Sequence, residues 1–392
     1  MGTGKTLSGV RVLDFTRTVA GPFGSMILAD LGAEVIKIEH ADGGDDARHL
    51  PPYWNEDSAA FLALNRNKKS VVLDLKSEQD RAHILQLVQS CDVVMESFRP
   101  GVMERLMLGY DVLSTQSPNL IYCSVSAFGR GPLGRQMPGY DALLQAFSGI
   151  MKATGHPGSP PTRIAPSVID LNTGMWAAIQ ILSALLRSKS EPGPKRLEVA
   201  LVDTAFNLMC HQLIGFLATG EVPLPQGSGS PITAPYEVFR ARDGDILVAA
   251  GNDRLFKRLC QSLKLDELVA DERFIDMTDR VRNRHALHEI LENVLLTEPV
   301  SKWVKRLTEA GVPAGPVHDI RQAVEHAIVA ERGLLVPCEG QMRNPDLKLL
   351  RLPLGNDVAS FREPPLLGQH TVEVLASLAR TNDEALVDPD SA

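Results

Sequence analysis

Between Val10 and Leu201 the chain alternates short apolar runs with segments whose apolar residues recur every three or four positions, and this constrains the fold more than any other feature. Val10-Arg11-Val12-Leu13-Asp14-Phe15 reads as a buried strand ended by Thr-Arg-Thr and Gly21-Pro22. A helix carrying Met26, Ile27, Leu28 and Leu31 follows and stops at Gly32. Further strands are predicted over 35–39, 71–75, 92–95 and 120–126, with helices over 78–89 and near 140–150. Strands separated by helices join in parallel, so the expected class is α/β, a mostly parallel sheet covered on both faces. Such a sheet receives ligands at the carboxyl ends of its strands, although fold alone does not fix function. No Gly-x-Gly-x-x-Gly follows the first strand; Val19-Ala20-Gly21-Pro22 stands there, so a nicotinamide or flavin site has no local support.

Downstream, Ser190-Glu191-Pro192-Gly193-Pro194 turns into a strand over 196–201 and a helix over 203–218. The stretch from Pro223 to Pro231, with Gly227-Ser228-Gly229-Ser230 at its centre, is the best linker in the chain. Beyond it, runs over 236–241 and 246–250 flank Arg242-Asp243-Gly244 as a hairpin, and helices are predicted over 254–263, 279–296 and 300–310. Gly311-Val312-Pro313-Ala314-Gly315-Pro316-Val317 is a second connector, leading to a helix near 320–327. The last helix, through Val374, Leu375 and Leu378, cannot bury its apolar face alone and is expected to return to the first domain. The expected division is a large α/β domain over 1–222, a small α+β domain over 223–318, and a connector and return over 319–392.

With 392 residues, 44% of them hydrophobic and 22% charged, the chain can bury two cores. The net charge of −8 is spread along it without a block of like charges, which argues against nucleic-acid and membrane-surface binding. No apolar run approaches the roughly eighteen residues of a membrane span, and the N-terminus lacks a signal-peptide core. Cys91, Cys123, Cys210, Cys260 and Cys338 are scattered, as are the ten histidines, so we expect reduced thiols in a cytoplasmic protein and no metal. Gly4-Lys5-Thr6 imitates the end of a phosphate-binding loop without its upstream glycine and strand, and Met1-Gly2 with Thr6 imitates an acylation signal. Neither has support elsewhere in the sequence.

One carboxylate stands out. In Ser167-Val168-Ile169-Asp170-Leu171-Asn172-Thr173-Gly174 an extended approach ends at Asp170, and Met175, Ile179, Leu182 and Leu186 then recur at helical spacing. Two readings are open: a plain N-cap worth about 1 kcal/mol, or a nucleophile. On the second reading, the free N–H groups and dipole of the helix start keep Asp170 ionised near neutral pH.

Seven motifs in order resemble one family. They are Val12-Leu13-Asp14-Phe15 with Ala20-Gly21-Pro22; the run Leu31 to Glu39; Asn65-Arg66-Asn67-Lys68-Lys69-Ser70; Phe98-Arg99-Pro100-Gly101; Asp170 with Thr173-Gly174; Gly311-Val312-Pro313 with Gly315-Pro316-Val317; and Pro364-Pro365-Leu366-Leu367-Gly368. The chain resembles the class III coenzyme A transferases, the group of formyl-CoA transferase and carnitine CoA transferase, which includes the α-methylacyl-CoA racemases. The resemblance implies a large Rossmann-like domain made from both chain ends, a small inserted domain, and an interlocked homodimer. It implies that Asp170 is the nucleophile and passes through a mixed anhydride and an aspartyl-CoA thioester. Coenzyme A enters as a cosubstrate, with no permanently bound cofactor and no metal.

By the same resemblance the CoA contacts fall on Thr18, His40, Leu73, Lys76, Phe98 and Arg105. Lys76 and Arg105 suit phosphates. His40 departs from a commoner arginine and Ser97 from a commoner asparagine. Gly227 and Gly229 fall where related enzymes carry a glycine lid over the aspartate, and as plain linker they would look the same. The racemases need a histidine where Tyr140 precedes Asp141, and a phenol is a poor base at neutral pH. Transferase therefore outranks racemase, and a CoA-binding homologue without catalysis stays as an alternative; Tyr140 is left to hydrogen-bond near the anhydride or to pack in the core. Val19 stands where oxalate enzymes have a glutamine, and the segments Asn65–Ser70, Ala250-Gly251-Asn252 and Pro364–Thr371 look most like the succinyl-CoA:glutarate branch. The expected reaction moves CoA from succinyl-CoA to a small dicarboxylic acid, with Arg17 a candidate for its distal carboxylate.

Overall fold

The apolar runs pair side by side in the computed structural model, which describes residues 5–340, 343–355 and 358–386. Strands β1 (Arg11–Phe15), β2 (Glu34–Glu39), β3 (Lys68–Val72), β4 (Val93–Glu96), β5 (Ile121–Ser126) and β6 (Lys195–Ala200) form one sheet in the order β3-β2-β1-β4-β5-β6. Every pair is parallel, with Leu13 in register with Ile36 on one side and Val94 on the other. The order reverses between β1 and β4, so the loops leaving these strands diverge and open a crevice at their carboxyl ends.

Five helices frame the site: α1 (Ala20–Asp30), α2 (Glu78–Gln89), α3 (Asp141–Phe147), α4 (Val168–Ser188) and α5 (Thr371–Leu386). On one face of the sheet Leu13, Ile36, Val71 and Val94 pack against Ile84, Leu87 and Val88 of α2 and against Val374 of α5. Each such side chain is worth about 1.5–3 kcal/mol when fully buried. The final helix therefore does return to this sheet, and Lys69 Nζ ties it there at 2.8 Å from Glu373.

On the other face α1 lies against α4 at backbone contact. A Cβ on Gly24 would sit 2.8 Å from the Gly174 oxygen, and one on Gly174 would sit 2.5 Å from the Ala20 oxygen. Only glycine at both positions allows this approach, which brings the first turn of α4 against the start of α1.

The chain divides into two compact units: one takes in the chain up to Ser148, Ile164–Leu217 and the part from Arg332 on; the other takes in Gly149–Arg163 and Ala218–Glu331. The second thus includes residues 149–163, 218–222 and 319–331, which the sequence-based division placed elsewhere. Its sheet is antiparallel, with β7 (Tyr236–Ala241), β8 (Gly244–Ala249) and β9 (Ala314–Pro316) in the order β9-β8-β7, around a core of Phe239, Ile246, Phe256, Leu291 and Trp303.

Some expectations need correction. β3 begins at Lys68 rather than at residue 71, because Lys68 and Ser70 are polar yet buried, and a search for apolar runs passes over them. The helix expected over 203–218 is two, Leu201–Leu208 and Cys210–Thr219, bent by 68°. That expected over 279–296 breaks at Asn283. α4, at 21 residues, has the length and apolarity of a membrane span, although Asn172, Thr173, Gln180 and Ser183 interrupt its apolar run. It buries Ile169, Ala177, Ile181 and Ala184 within the chain and leaves Met175, Trp176, Ile179 and Leu186 exposed. Met1, Gly2 and Gly4 of the two N-terminal imitations lie outside the described residues.

Candidate active site

The loop after β1 is built on buried charge. Asp14 accepts hydrogen bonds from the Thr16 backbone N–H (2.9 Å), the Thr16 hydroxyl (2.5 Å), the Ser25 hydroxyl (2.6 Å) and Lys68 Nζ (3.2 Å). Lys37 Nζ donates to the Thr16 carbonyl at 2.7 Å and pairs with Asp45 at 2.7 Å, and Asp45 accepts the Thr18 N–H at 3.0 Å. Together these contacts hold Thr18 at φ 69°, a conformation a β-branched residue rarely takes. Burial pushes the Asp14 and Asp45 carboxyls up, but the lysines and donors around them outweigh it and hold both below the usual range. Burial moves Lys68 the other way, down to about 8.

That loop is pinned to the one after β4 by the Arg17 N–H on Ser97 Oγ at 3.0 Å, and the Arg17 guanidinium lies 5.1 Å over the Phe98 ring. A cleft of about 320 Å³ opens beside the pair. His40, Leu73, Lys76, Phe98 and Arg105 line it, with Ile38, Leu75, Val102 and Leu106 as apolar floor. Lys76 and Arg105 have no carboxylate partner among the described residues, so both cations are available to an anion. Gly101, at φ 90°, turns the chain into the short helix Val102–Arg105 that carries Arg105. An apolar slot rimmed by unpaired cations suits a flat base attached to phosphates.

A second cleft of about 280 Å³ shares Arg17 and Phe98 with the first, and Thr18, Tyr140 and Asp170 line it. Arg99, Asp46 and Ser126 also line it, and sequence reasoning had not singled them out. The Ser126 hydroxyl is buried without a partner among the described residues. Six of the residues marked as CoA or acceptor contacts thus face one cleft, and Thr18, Tyr140 and Asp170 face its neighbour.

Asp170 differs from expectation in two ways. α4 starts at Val168, with Ser167 as its N-cap, so Asp170 sits inside the first turn rather than ahead of it. Nor does the helix start hold its carboxylate. Asp141 takes the helix-start donors instead: its Oδ2 accepts the N–H groups of Ile169 (2.8 Å) and Asp170 (3.2 Å), while the Ser167 side chain makes no cap bond. Among the described residues no donor reaches the Asp170 carboxylate. Burial, and then the neighbouring Asp141 charge, push its pKa up to about 7, so it is only partly ionised at neutral pH.

The sequence profile of "CoA-transferase family III" matches residues 7–371. The chain belongs to this family. It is an enzyme of the class III CoA-transferases. Over 336 residues it is 42% identical to acetyl-CoA:oxalate CoA-transferase of Acetobacter aceti, covering 85% of this chain and 86% of that protein. It is 34% identical over 391 residues to human succinyl-CoA:glutarate CoA-transferase, covering 97% and 88%. A CAIB/BAIF family protein from Brucella suis has a crystal structure that matches with a TM-score of 0.85 at 33% identity, covering 96% of this chain and 100% of that one.

In this transferase Tyr140 is 73% exposed, which removes the core-packing alternative and leaves its ring at the cleft. Gly227 and Gly229 lie in the second compact unit. Gly227, at φ 63°, donates its N–H to the Gly155 carbonyl at 2.8 Å, and the Gly229 N–H goes to the Gln226 carbonyl at 3.0 Å.

Proposed function

We propose that the enzyme transfers CoA from succinyl-CoA to a small dicarboxylic acid, with Asp170 as nucleophile. The single observation that carries this reading is a half-buried carboxylate, without donors among the described residues, in a cleft that shares a wall with the cation-rimmed slot. An ionised Asp170 oxygen attacks the thioester carbonyl and the C–S bond breaks, giving a mixed anhydride and CoA thiolate. The thiolate attacks the aspartyl carbonyl and releases the donor acid. The acceptor carboxylate then attacks the aspartyl thioester, and the returning thiolate takes the acceptor acyl group and regenerates the Asp170 carboxylate. A carboxylate of raised pKa is a stronger nucleophile than an ordinary one, and the covalent route keeps the acyl group activated away from water.

Lys76 and Arg105 are assigned to the CoA phosphates, and the apolar floor to adenine. Arg17, stacked on Phe98, and Arg99 are the cations near the reacting carboxylate for a second carboxylate on the acceptor. Support for the acceptor class comes from relatives named for oxalate, glutarate and mesaconate. Val19 weighs against oxalate and the 42% identical oxalate enzyme weighs for it, so oxalate belongs in the test.

Met175, Trp176, Ile179 and Leu186 of α4 are exposed, as are Ile214 and Leu217, and this is apolar surface that a second copy of the chain would cover in a homodimer. The test of the reaction incubates enzyme with succinyl-CoA or acetyl-CoA and oxalate, succinate, glutarate or mesaconate, and follows new thioesters by mass spectrometry. Exchange with succinyl-CoA and at least one other dicarboxylate is expected. Turnover of monocarboxylates alone would defeat the acceptor assignment, and α-proton exchange without any acceptor would favour racemization.

A further inference from the structure

The reading of Asp170 as nucleophile leaves one buried acid beside it without a role. Asp141 is 5% exposed and its carboxylate is fixed from both sides. Its Oδ2 takes the two helix-start N–H groups, and its Oδ1 takes the Gln145 amide N–H at 2.5 Å. Gln145 is itself fully buried and is locked by the Ile164 N–H on its Oε1 at 2.9 Å. This is a built arrangement: a carboxylate from α3 does the capping that Ser167 of α4 does not.

Building on the Asp170 assignment, we propose that Asp141 is the positioning residue of the nucleophile, occupying the helix-start donors so that the Asp170 carboxylate is left without them and directed into the cleft. Two effects follow from the one contact. The backbone of the nucleophile is held by its own N–H, and the helix dipole is neutralised by Asp141 rather than spent on Asp170. The other titratable or charged groups facing the cleft are Tyr140 ahead of α3, Arg17 after β1, Asp46 after β2 and Arg99 after β4. Beside burial, Asp141 is the charge that acts on Asp170, through the backbone its carboxylate holds.

The test is Asp141→Asn, whose amide oxygen still accepts the two N–H groups while the charge is gone. The acid limb of the kcat profile should move down by about one pH unit, a tenfold gain in relative rate on the acid side, while kcat at pH 8 falls and KM for the acyl-CoA stays within twofold. An unmoved limb in the folded variant would overturn the proposal. The paired change Asp141→Asn with Gln145→Glu restores a matched hydrogen bond and should shift the limb in the same direction.

A readout that needs neither variant is carboxyl-carbon NMR of the intact wild-type enzyme, with the Asp170 resonance assigned by its loss in Asp170→Asn. Titration of that resonance near pH 7 is expected; an Asp170 that stays ionised below about pH 5 defeats the proposal. The two ideas fail separately. Exchange surviving in Asp170→Ala would remove the nucleophile assignment while leaving the carboxylate pairing intact.

Discussion

Two acids near the same crevice, Asp14 fully buried and Asp170 half-buried, are treated in opposite ways. Asp14, under the β1 loop, is surrounded by two lysines and two hydroxyls and stays ionised despite full burial. Asp170, across the crevice, has less burial and, among the described residues, no donor, and a second carboxylate next door pushes it toward neutrality. Burial raises both, so the difference lies in what surrounds the oxygens. The first arrangement fixes a loop; the second keeps a carboxylate unsatisfied and therefore reactive. In a chain with 48 acidic residues, that contrast separates a scaffold acid from a working one.

The contrast can be broken from either side. The largest expected effect is on activity: Asp170→Ala should lower exchange by at least about 10⁴-fold, with an unchanged circular dichroism spectrum. Next, Lys68→Met leaves Asp14 without its direct cation and should cost about 3–5 kcal/mol of stability in urea unfolding. A cost below about 1 kcal/mol would mean that the hydroxyls alone suffice. Gly174→Ala forces a Cβ to within 2.5 Å of the Ala20 carbonyl and should cost about 1–3 kcal/mol, lowering kcat because the Asp170 turn shifts.

The smallest effect sharpens the comparison through pH. Because the Asp170 pKa is raised in the folded state, its contribution to stability is fully present below about pH 4 and is lost progressively as pH rises to about 7. The stability advantage of Asp170→Asn, which is neutral throughout, should therefore be about 2 kcal/mol larger at pH 8.5 than at pH 5.5. Thermal melts at both values check the sign.

Much of the scaffold was legible in the sequence because it rests on local periodicity: the helix over 78–89 and the strand over 11–15 fall where the apolar spacing puts them. What escaped depends on contacts distant along the chain. Lys68 looks like a solvent-facing residue until Asp14, 54 positions earlier, is placed against it. The start of α4 was misplaced because Val168 and Ile169 read as extended chain, whereas Asp141, 29 positions before Asp170, supplies the cap that lets helix begin there. The expectation that the helix start would keep Asp170 ionised failed for the same reason. No periodicity in one segment records which side chain from another takes its donors.

The stack of Arg17 on Phe98 is a wall common to both clefts. A molecule confined to the first chamber meets Lys76 and Arg105 but not the reactive oxygen, and one confined to the second meets the reactive oxygen but not Lys76 or Arg105. Reach thus becomes a filter: a free acid is too short to engage both chambers, whereas an ester with a long handle bridges them, and its grip at one end pins the bond to be cut at the other.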